Sequence, residues 1–181
     1  MRVIAGSAGG IPLVSVPGRG TRPTLDRVRE SVFAILTPRL QGARVLDLYA
    51  GTGALGLEAL SRGAESCLFV ESDEAAIRAL RRNIDHTRLG ERAKVVRGRL
   101  PQTLGRLVAE APWDLVFCDP PYAAAPWTDL LPALEPLLAD DFIIAWEHGR
   151  RDVPKLAQPY RLLRLTAYGQ TSVSFLGRGD G

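Results

Sequence analysis

Cysteine and histidine are scarce in this sequence, with two copies of each among 181 residues. Cys67 and Cys118 both lie inside apolar runs, so we interpret them as small residues of a buried core. His86 and His148 fall in a helix tail and after a strand, away from any catalytic constellation. No Cys/His spacing typical of a zinc site is present. These absences argue against a disulfide scaffold and against a metal-dependent mechanism.

Long apolar runs are also missing. No segment approaches the roughly 18 consecutive apolar residues of a membrane-spanning helix, and the N-terminal MRVIAGSAGG lacks the apolar stretch of a secretory signal. With 46% hydrophobic and 24% charged residues, the chain has an ordinary globular composition. We therefore expect a single cytoplasmic domain without membrane association.

Positive charge comes almost entirely from arginine, which outnumbers lysine 21 to 2. The charge is uneven: residues 1–44 carry +5, residues 45–147 carry −6 and residues 148–181 carry +4. Basic ends around an acidic middle favour a polyanion bound at the periphery and a different ligand at the centre. The alternative is that the arginine preference reflects genome base composition and that these side chains are solvated surface residues.

Short β-prone runs alternate with helical patterns from Val45 onward. The runs RVLDLYA, SCLFVES, AKVVRG, WDLVFCD and DFIIAWEHG are apolar nearly throughout, which is typical of a parallel sheet covered on both faces. Helices are predicted between them, among them PQTLGRLVAEA and a proline-interrupted WTDLLPALEPLLAD. Two further β-prone runs flank Gly169 with too few residues for a crossover helix, which predicts an antiparallel hairpin at one sheet edge. The sequence thus predicts a doubly wound, Rossmann-like α/β fold with a mostly parallel seven-stranded sheet.

An N-terminal extension precedes the predicted sheet. The segment IPLVSVPGRG predicts a short strand or hairpin. Thr24 is expected to cap the helix LDRVRESVFAIL, whose apolar positions repeat at helical spacing. We therefore expect one domain over residues 1–181, with residues 1–23 as the extension and residues 24–181 as the core.

The first candidate site is LDLYAGTGALG, which runs from the first strand into a helix. Gly51, Gly53 and Gly56 form a glycine-rich turn in which the backbone can approach a nucleotide at the helix start. Glu71 ends the next strand, 20 residues after Gly51, where a carboxylate can accept both hydroxyls of a ribose. The alternative is that the glycines only turn the chain and that Glu71 is a solvated strand end.

Two ligands compete for this turn, a dinucleotide and S-adenosylmethionine. Asp47 lies four residues ahead of Gly51, and its carboxylate would repel a pyrophosphate but pair with an ammonium group. Together with Tyr49, the segment DLYAGTGALG resembles the first motif of the class I S-adenosylmethionine-dependent methyltransferases. The resemblance implies that Asp47 lies near the methionine end of the donor and that Glu71 holds its ribose.

The second candidate site is DPPY, from Asp119 to Tyr122, after the fourth strand. In a doubly wound sheet this strand lies beside the first, so DPPY falls next to the glycine turn. The Asp119 carboxylate and the Pro120 carbonyl can accept hydrogen bonds from a ring-conjugated amine and aim its lone pair at a sulfonium methyl. The prolines have no N–H to interfere, and Tyr122 offers a flat face to an extruded base. The alternative is that Asp119 only ends the strand and the prolines start an extended turn.

Both motifs together resemble methyltransferases that modify exocyclic amino groups of nucleic-acid bases. The segments RVIAGSAGG, TRPTLDRVRES, LDLYAGTGALGLEALSRGA, FVESD and DPPY span nearly the whole chain. They look like the bacterial 16S ribosomal RNA guanine-N2 methyltransferase family, which acts on guanine 966. The guanine assignment depends on RPTLDRVRES, because many methyltransferases share the other two motifs. The resemblance implies S-adenosylmethionine as the cofactor, 16S ribosomal RNA in a partly assembled small subunit as the substrate, and a monomer that needs no metal.

The resemblance also assigns individual residues. Arg97 and Arg99 cannot accept a hydrogen bond from the donor's adenine amine through their side chains, so a backbone contact is expected there. The implied cofactor-binding residues are Asp47, Tyr49, Gly51, Thr52, Gly53, Gly56, Glu71, Ser72, Gly98, Arg99 and Leu100. The implied catalytic residues are Asp119, Pro120, Pro121 and Tyr122. The implied RNA-contacting residues are Arg2, Arg19, Arg22, Pro23, Thr24 and Arg27.

Several alternatives remain open on the sequence. Arg27 and Arg29 could simply form helix-surface ion pairs with Asp26 and Glu30. The same chemistry could act on an adenine amine or a glutamine side chain, although such enzymes more often have Asn where this chain has Asp119. A dinucleotide-dependent oxidoreductase would leave DPPY without a role. A noncatalytic RNA-binding module would not need the complete set of DPPY residues.

Overall fold

A computed structural model describes residues 1–16, 23–121 and 127–179 of the chain. Within these ranges, a seven-stranded sheet has the strand order β3-β2-β1-β4-β5-β7-β6. The strands are β1 (Arg44–Leu48), β2 (Ser66–Glu71), β3 (Ala93–Arg97), β4 (Trp113–Cys118), β5 (Leu138–Gly149), β6 (Tyr160–Tyr168) and β7 (Thr171–Arg178). The α-helices are α1 (Pro23–Leu36), α2 (Ala54–Ser61), α3 (Glu74–Thr87) and α4 (Trp127–Leu134). Short 3-10 helices follow at Thr37–Arg39, Gly90–Arg92, Leu104–Glu110 and Glu135–Leu137.

The first five strands run parallel, and β7 joins them antiparallel to β5 and to β6. This arrangement confirms the doubly wound sheet and the C-terminal hairpin that the sequence predicts. Strand order reverses between β1 and β4, which pair directly, with Leu48 opposite Cys118. In open α/β sheets the carboxyl ends of the strands at such a reversal form the ligand crevice. The chain therefore places the ends of β1 and β4 side by side.

Two apolar clusters cover the two faces of the sheet. One joins helices α1, α2 and α3 to side chains such as Val45, Phe69 and Phe117. The other joins α4 and the Leu104–Glu110 helix to strand side chains on the opposite face of the sheet, such as Leu46 and Val116. Alternate residues of a strand point to opposite faces, so a strand buried on both faces is apolar nearly throughout. Cys67 and Cys118 are both buried and unpaired, in agreement with their interpretation as core residues.

Three local predictions differ from the structure. The segment PQTLGRLVAEA contains a 3-10 helix over Leu104–Glu110 in place of the predicted α-helix. The helix predicted over WTDLLPALEPLLAD ends at Leu134, and β5 begins at Leu138, because prolines lack the N–H that continues a helix. Helix α1 begins at Pro23, so Thr24 lies inside it and does not cap it. Proline suits the first helical position because its φ is already helical.

Residues 1–16 form an antiparallel loop with a single bridge between Arg2 and Pro12. Backbone hydrogen bonds from Val3 to Ile11 and from Leu13 to Met1, both at 3.0 Å, hold the loop together. Of the short strand or hairpin predicted over IPLVSVPGRG, the structure describes residues 11–16, and these contribute one bridge, at Pro12. In the described ranges, none of the helices has the length and apolar character to cross a membrane.

Candidate active site

The ends of β1, β2 and β4 open into one cavity of about 670 Å³. Helix α1, the start of α2 and the N-terminal residues Met1, Ser15 and Val16 complete its wall. Several predicted site residues lie together in this wall, namely Asp47, Tyr49, Gly51, Thr52, Glu71, Ser72, Asp119, Pro120 and Pro121. The structure therefore brings the glycine turn and the DPP segment into one site, as the strand-order argument predicts.

The turn after β1 has an unusual backbone. Gly51 and Gly53 have φ values of 56° and 81°, a region that only glycine adopts readily. Tyr49 shares this conformation at φ 56°, which for an aromatic residue is strained. Gly53 then precedes α2, and a side chain at Gly56 would collide with Phe69 and the Cys67 sulfur. The turn and the helix start thus depend on backbone positions that larger residues disfavour.

Glu71 holds the turn from the end of β2. One carboxylate oxygen, Oε2, accepts a hydrogen bond from the Gly51 N–H at 2.8 Å. The other, Oε1, accepts from the N–H groups of Ser72 and Asp73 at 2.7 and 2.8 Å. Charge-assisted hydrogen bonds of this kind are among the stronger ones in proteins. Glu71 is therefore fixed in orientation at the cavity wall, and the alternative of a solvated strand end does not agree with its burial and hydrogen bonds.

Asp47 is a buried carboxylate at the base of the cavity. Its Oδ2 accepts a hydrogen bond from the Gly56 N–H at 2.9 Å, near the start of α2. Desolvation raises the pKa of Asp47 well above its ordinary value, the Gly56 hydrogen bond opposes this, and the negative charges of Asp119 and Glu71 raise it further. A buried carboxylate in this state gains from a nearby cation, because a cation stabilises its ionised form.

Asp119 directly follows β4 and its side chain is exposed to the cavity. Desolvation by the surrounding protein raises the pKa of Asp119 to about 6. The group is still mostly ionised at neutral pH, where it accepts hydrogen bonds. Pro120 and Pro121 lie beside it in the wall. Tyr122, the predicted stacking residue, lies outside the described residues.

Some of the other predicted residues that the structure describes do not line the cavity. Gly98, Arg99 and Leu100 follow β3, where the Gly98 N–H donates to the Glu71 carbonyl at 2.9 Å, but none of the three lines the cavity. Arg2 and Arg27 are exposed and also lie outside the wall. Pro23 and Thr24 are the first two residues of α1. Arg19 and Arg22 lie outside the described residues.

The structure adds residues to the site that the sequence did not single out. Arg29 lines the cavity and is 5% exposed. Its Nη2 atom lies 3.2 Å from the Asp26 carboxylate. Because Arg29 is buried, this contact is not an ion pair on the helix surface. Among the residues that the structure describes, the Nε and Nη1 atoms of Arg29 have no hydrogen-bond partner, and desolvation lowers the pKa of Arg29. Glu147 of β5 also lines the cavity. A buried arginine and a surface arginine on a helix carry the same local sequence signal, so only the packing separates Arg29 from Arg27.

No group of three or more His, Cys, Asp or Glu residues within residues 1–16, 23–121 and 127–179 is arranged to hold a metal ion. The cavity wall instead combines carboxylates from three strand ends with a glycine turn. This arrangement suits a ligand with cationic and hydroxyl groups.

The sheet and the strand-end cavity define the class I methyltransferase fold, and solved structures agree. The Escherichia coli protein yhhF, a suspected methyltransferase, superposes with a TM-score of 0.86 at 33% identity, over 98% of this chain and 97% of that chain. A suspected methylase of Haemophilus influenzae superposes with a TM-score of 0.80 at 28% identity, over 99% of both chains. The fold class predicted from the sequence is therefore confirmed.

The family follows from the sequence comparisons. The model of the family described as conserved hypothetical protein 95 matches residues 1–177, and the chain belongs to this family. YlbH of Bacillus subtilis, a suspected rRNA methyltransferase, is 39% identical over 178 residues, covering 96% of this chain and 97% of that protein. Ribosomal RNA small subunit methyltransferase D of Escherichia coli K12 is 35% identical over 175 residues, covering 95% and 87% respectively. The family predicted from the motifs is confirmed.

Proposed function

We propose that this protein transfers a methyl group from S-adenosylmethionine to the N2 amino group of a guanine, guanine 966, in 16S ribosomal RNA. The observation that carries the proposal is that Asp119 opens into the same cavity as the turn held by Glu71. An acceptor group and a donor-binding turn in one cavity allow the two reactants to be held in line. The names of the curated relatives support ribosomal RNA as the substrate.

The residues of the wall fit S-adenosylmethionine. Its ammonium and sulfonium groups are cationic, and Asp47, Glu71 and Asp119 are carboxylates in or next to the wall. Glu71, whose carboxylate is oriented by three N–H groups, is proposed to accept the hydroxyls of the ribose. The remaining proposed contacts are Tyr49, Gly51, Thr52, Gly53, Gly56 and Ser72, with Gly98, Arg99 and Leu100 for the adenine. When bound, the donor supplies the electrophilic methyl group.

Asp119 and its neighbours act on the acceptor. The guanine amino group is a poor nucleophile because its lone pair is delocalised into the ring. Hydrogen bonds donated by this amine to the Asp119 carboxylate and the Pro120 carbonyl favour a tetrahedral nitrogen and direct its lone pair. Pro121 presents no N–H that would compete for that lone pair. Tyr122 is proposed as the stacking surface for the extruded base.

The basic ends of the chain are proposed to hold the RNA. The proposed contacts are Arg2, Arg19, Arg22, Pro23, Thr24 and Arg27, and arginine is suited to phosphate contacts. An RNA backbone is repelled by the acidic cavity, so a single base enters it while the phosphates stay at the periphery. We further propose that the protein acts as one monomeric domain on a small-subunit assembly intermediate in the cytoplasm.

The test is to compare the wild type and Asp119→Ala on four substrates: protein-free 16S RNA, a reconstituted 30S assembly intermediate, mature 30S subunits and DNA. We expect methylation of the RNA substrates only, with the modified nucleoside mapped to N2 of guanine 966 by mass spectrometry. In Asp119→Ala, kcat falls by about 100-fold or more, within the range for losing a positioned polar catalytic group, while the donor Kd changes little. Methylation of DNA alone, or unchanged turnover in Asp119→Ala, contradicts the proposal.

A further inference from the structure

The N-terminal arm, defined as residues 1–16, lies across helices α2 and α3. Glu58 of α2 is fully buried and accepts hydrogen bonds from the N–H groups of Ile4 and Ala5 at 2.6 and 3.1 Å. The Ser61 hydroxyl accepts from the Ala8 N–H at 2.9 Å. Helix α2 therefore fixes the first half of the arm.

The second half of the arm is fixed by one residue of α3. Asn83 is fully buried, and its Oδ1 accepts a hydrogen bond from the Val14 N–H at 2.7 Å. Its Nδ2 donates to the Val14 carbonyl at 3.0 Å and to the Thr52 carbonyl at 2.9 Å. A single amide thus binds the arm on one side and the glycine turn on the other.

This contact set matches the hydrogen-bonding capacity of asparagine. An amide has one acceptor oxygen and two donor hydrogens, whereas a carboxylate only accepts and a hydroxyl has a single donor hydrogen. Because Asn83 is fully buried, a residue there that cannot make these hydrogen bonds would leave the backbone groups of Val14 and Thr52 without their partner, which is destabilising. Asn83 therefore sets the position of Val14 relative to Thr52.

The two segments joined by Asn83 both reach the cavity. Thr52 lines it from the turn, and Ser15 and Val16, which directly follow Val14, line it from the arm. Asn83 therefore provides a direct hydrogen-bonded link between the glycine turn and the part of the arm that precedes Arg19 and Arg22 in the chain.

We propose that Asn83 is a positioning residue that couples donor binding at the glycine turn to RNA binding through the N-terminal arm. The inference rests on the proposed function, because it needs both ligands. Its measure is the ratio of the RNA Kd without donor to the RNA Kd with bound S-adenosylhomocysteine. Binding couplings are reciprocal and typically about fivefold or more, so the same factor applies to donor affinity. We expect a ratio of about five or more in the wild type.

Two variants weaken the coupling from opposite sides. Asn83→Ala removes all three contacts of the amide. Val14→Pro removes the N–H that donates to Asn83 but leaves the hydrogen bonds from Asn83 to the carbonyls of Val14 and Thr52, so it weakens the link from the arm and remains informative if Asn83→Ala fails to fold. Asn83→Ala should bring the ratio close to one, and Val14→Pro should lower it below the wild-type value. Hydrogen exchange should show that S-adenosylhomocysteine protects the Val14 region in the wild type and not in Asn83→Ala.

Two controls separate coupling from stability. Thr87→Val alters a buried residue of the same helix whose hydroxyl bonds stay within α3, to the carbonyls of Asn83 and Ile84. Ser61→Ala loosens the arm from α2 without touching the turn. Each should lower the melting temperature and keep the wild-type ratio, since neither breaks the link between arm and turn.

The outcomes are distinct. A wild-type ratio of one, or an unchanged ratio in both Asn83→Ala and Val14→Pro, overturns the coupling while leaving the proposed function intact if methylation proceeds. If Thr87→Val also brings the ratio of RNA Kd values close to one, general destabilisation explains the loss. This result also overturns the coupling. If the wild type binds no donor or methylates no RNA, the proposed function fails, and the coupling fails with it.

Discussion

The Oε2 atom of Glu71 accepts a hydrogen bond from the N–H of Gly51 at 2.8 Å, although 20 residues separate the two in the chain. This contact ties the end of β2 to the glycine turn that follows β1. It also fixes the orientation of the carboxylate at the cavity wall. The proposed ribose contact therefore depends on a side chain that is already positioned before a ligand binds.

Glu71→Ala should weaken donor binding strongly. The variant removes the ribose acceptor and frees the Gly51, Ser72 and Asp73 N–H groups from their partner. We expect the S-adenosylmethionine Kd to rise by about tenfold or more, since a charged hydrogen-bonding group is worth about 1.5–3 kcal/mol. Isothermal titration calorimetry measures this Kd. Glu74→Gln is the matched control, because Glu74 is exposed and its carboxylate lies 3.8 Å from the Arg97 guanidinium, a loose ion pair. The S-adenosylmethionine Kd of this variant should equal that of the wild type.

The rate should follow the ionisation of Asp119. Because desolvation raises the pKa of Asp119 to about 6, the group is mostly protonated below that pH, where it is a weaker hydrogen-bond acceptor for the amine and carries a competing O–H donor. We expect kcat to be constant above about pH 7. Below pH 6, kcat should decrease, and the decrease should approach about tenfold for each pH unit. Asp119→Asn should be slower at every pH and should lack this inflection. A wild-type profile that is flat from pH 5 to pH 8 contradicts the role.

The same group should influence stability in the opposite direction. A carboxyl with a raised folded-state pKa binds more protons in the folded than in the unfolded protein, so its contribution becomes unfavourable as pH rises between 3.8 and about 6. Asp119→Asn should therefore have a higher melting temperature than the wild type at pH 8. The difference should shrink as the pH falls below 6. Thermal scans of the two proteins at pH 5 and pH 8 measure it.

Donor affinity should depend on pH through Asp47. Its pKa is raised well above the ordinary value, first by desolvation, and a bound cation lowers it again. Binding of S-adenosylmethionine should therefore release protons and become tighter as pH rises through the range in which free Asp47 loses its proton, which lies above the ordinary range of an aspartate. In Asp47→Asn we expect weaker binding with a smaller pH slope and less proton release. Calorimetry in two buffers of different ionisation enthalpy reports both quantities, and equal slopes in the two proteins would falsify the assignment.

Gly56→Ala should destabilise the fold. A Cβ at this position would lie 2.3 Å from the Phe69 Cε1 and 2.6 Å from the Cys67 sulfur. Overpacking of this kind costs about 1–3 kcal/mol, which exceeds the gain of at most about 1 kcal/mol from alanine in a helix. Gly105→Ala is the control, because its Cβ meets no atom within 4 Å. Urea unfolding of both variants gives the two free energies of unfolding.

The sequence predicted those features that local pattern and strand order determine. The apolar runs predicted all seven strands, and the crossover rule for doubly wound sheets placed Asp119 beside Gly51. The extent of α4 was predicted less well, because Pro132 lies inside the helix and Pro136 lies in the 3-10 helix that follows it.

Features that depend on contacts between distant residues could not be predicted. Val14 and Asn83 are 69 residues apart, and neither the arm nor α3 carries a local signal for their pairing. Arg29 and Arg27 lie on one helix with similar neighbours, and only tertiary packing buries the first and exposes the second. The local sequence is enough to predict the residues of the two site motifs. Which other residues line the cavity, such as Arg29, is decided by tertiary packing.

The concentration of carboxylates around the cavity bears on product release. S-adenosylmethionine carries a positive sulfonium, but the thioether that remains after methyl transfer is uncharged. The proposed contact of Asp47 with the donor is therefore stronger for the substrate form of the cofactor than for the spent form. On the proposed function, the reaction itself removes part of the attraction that held the cofactor in place, and this favours exchange of the spent molecule for a fresh one.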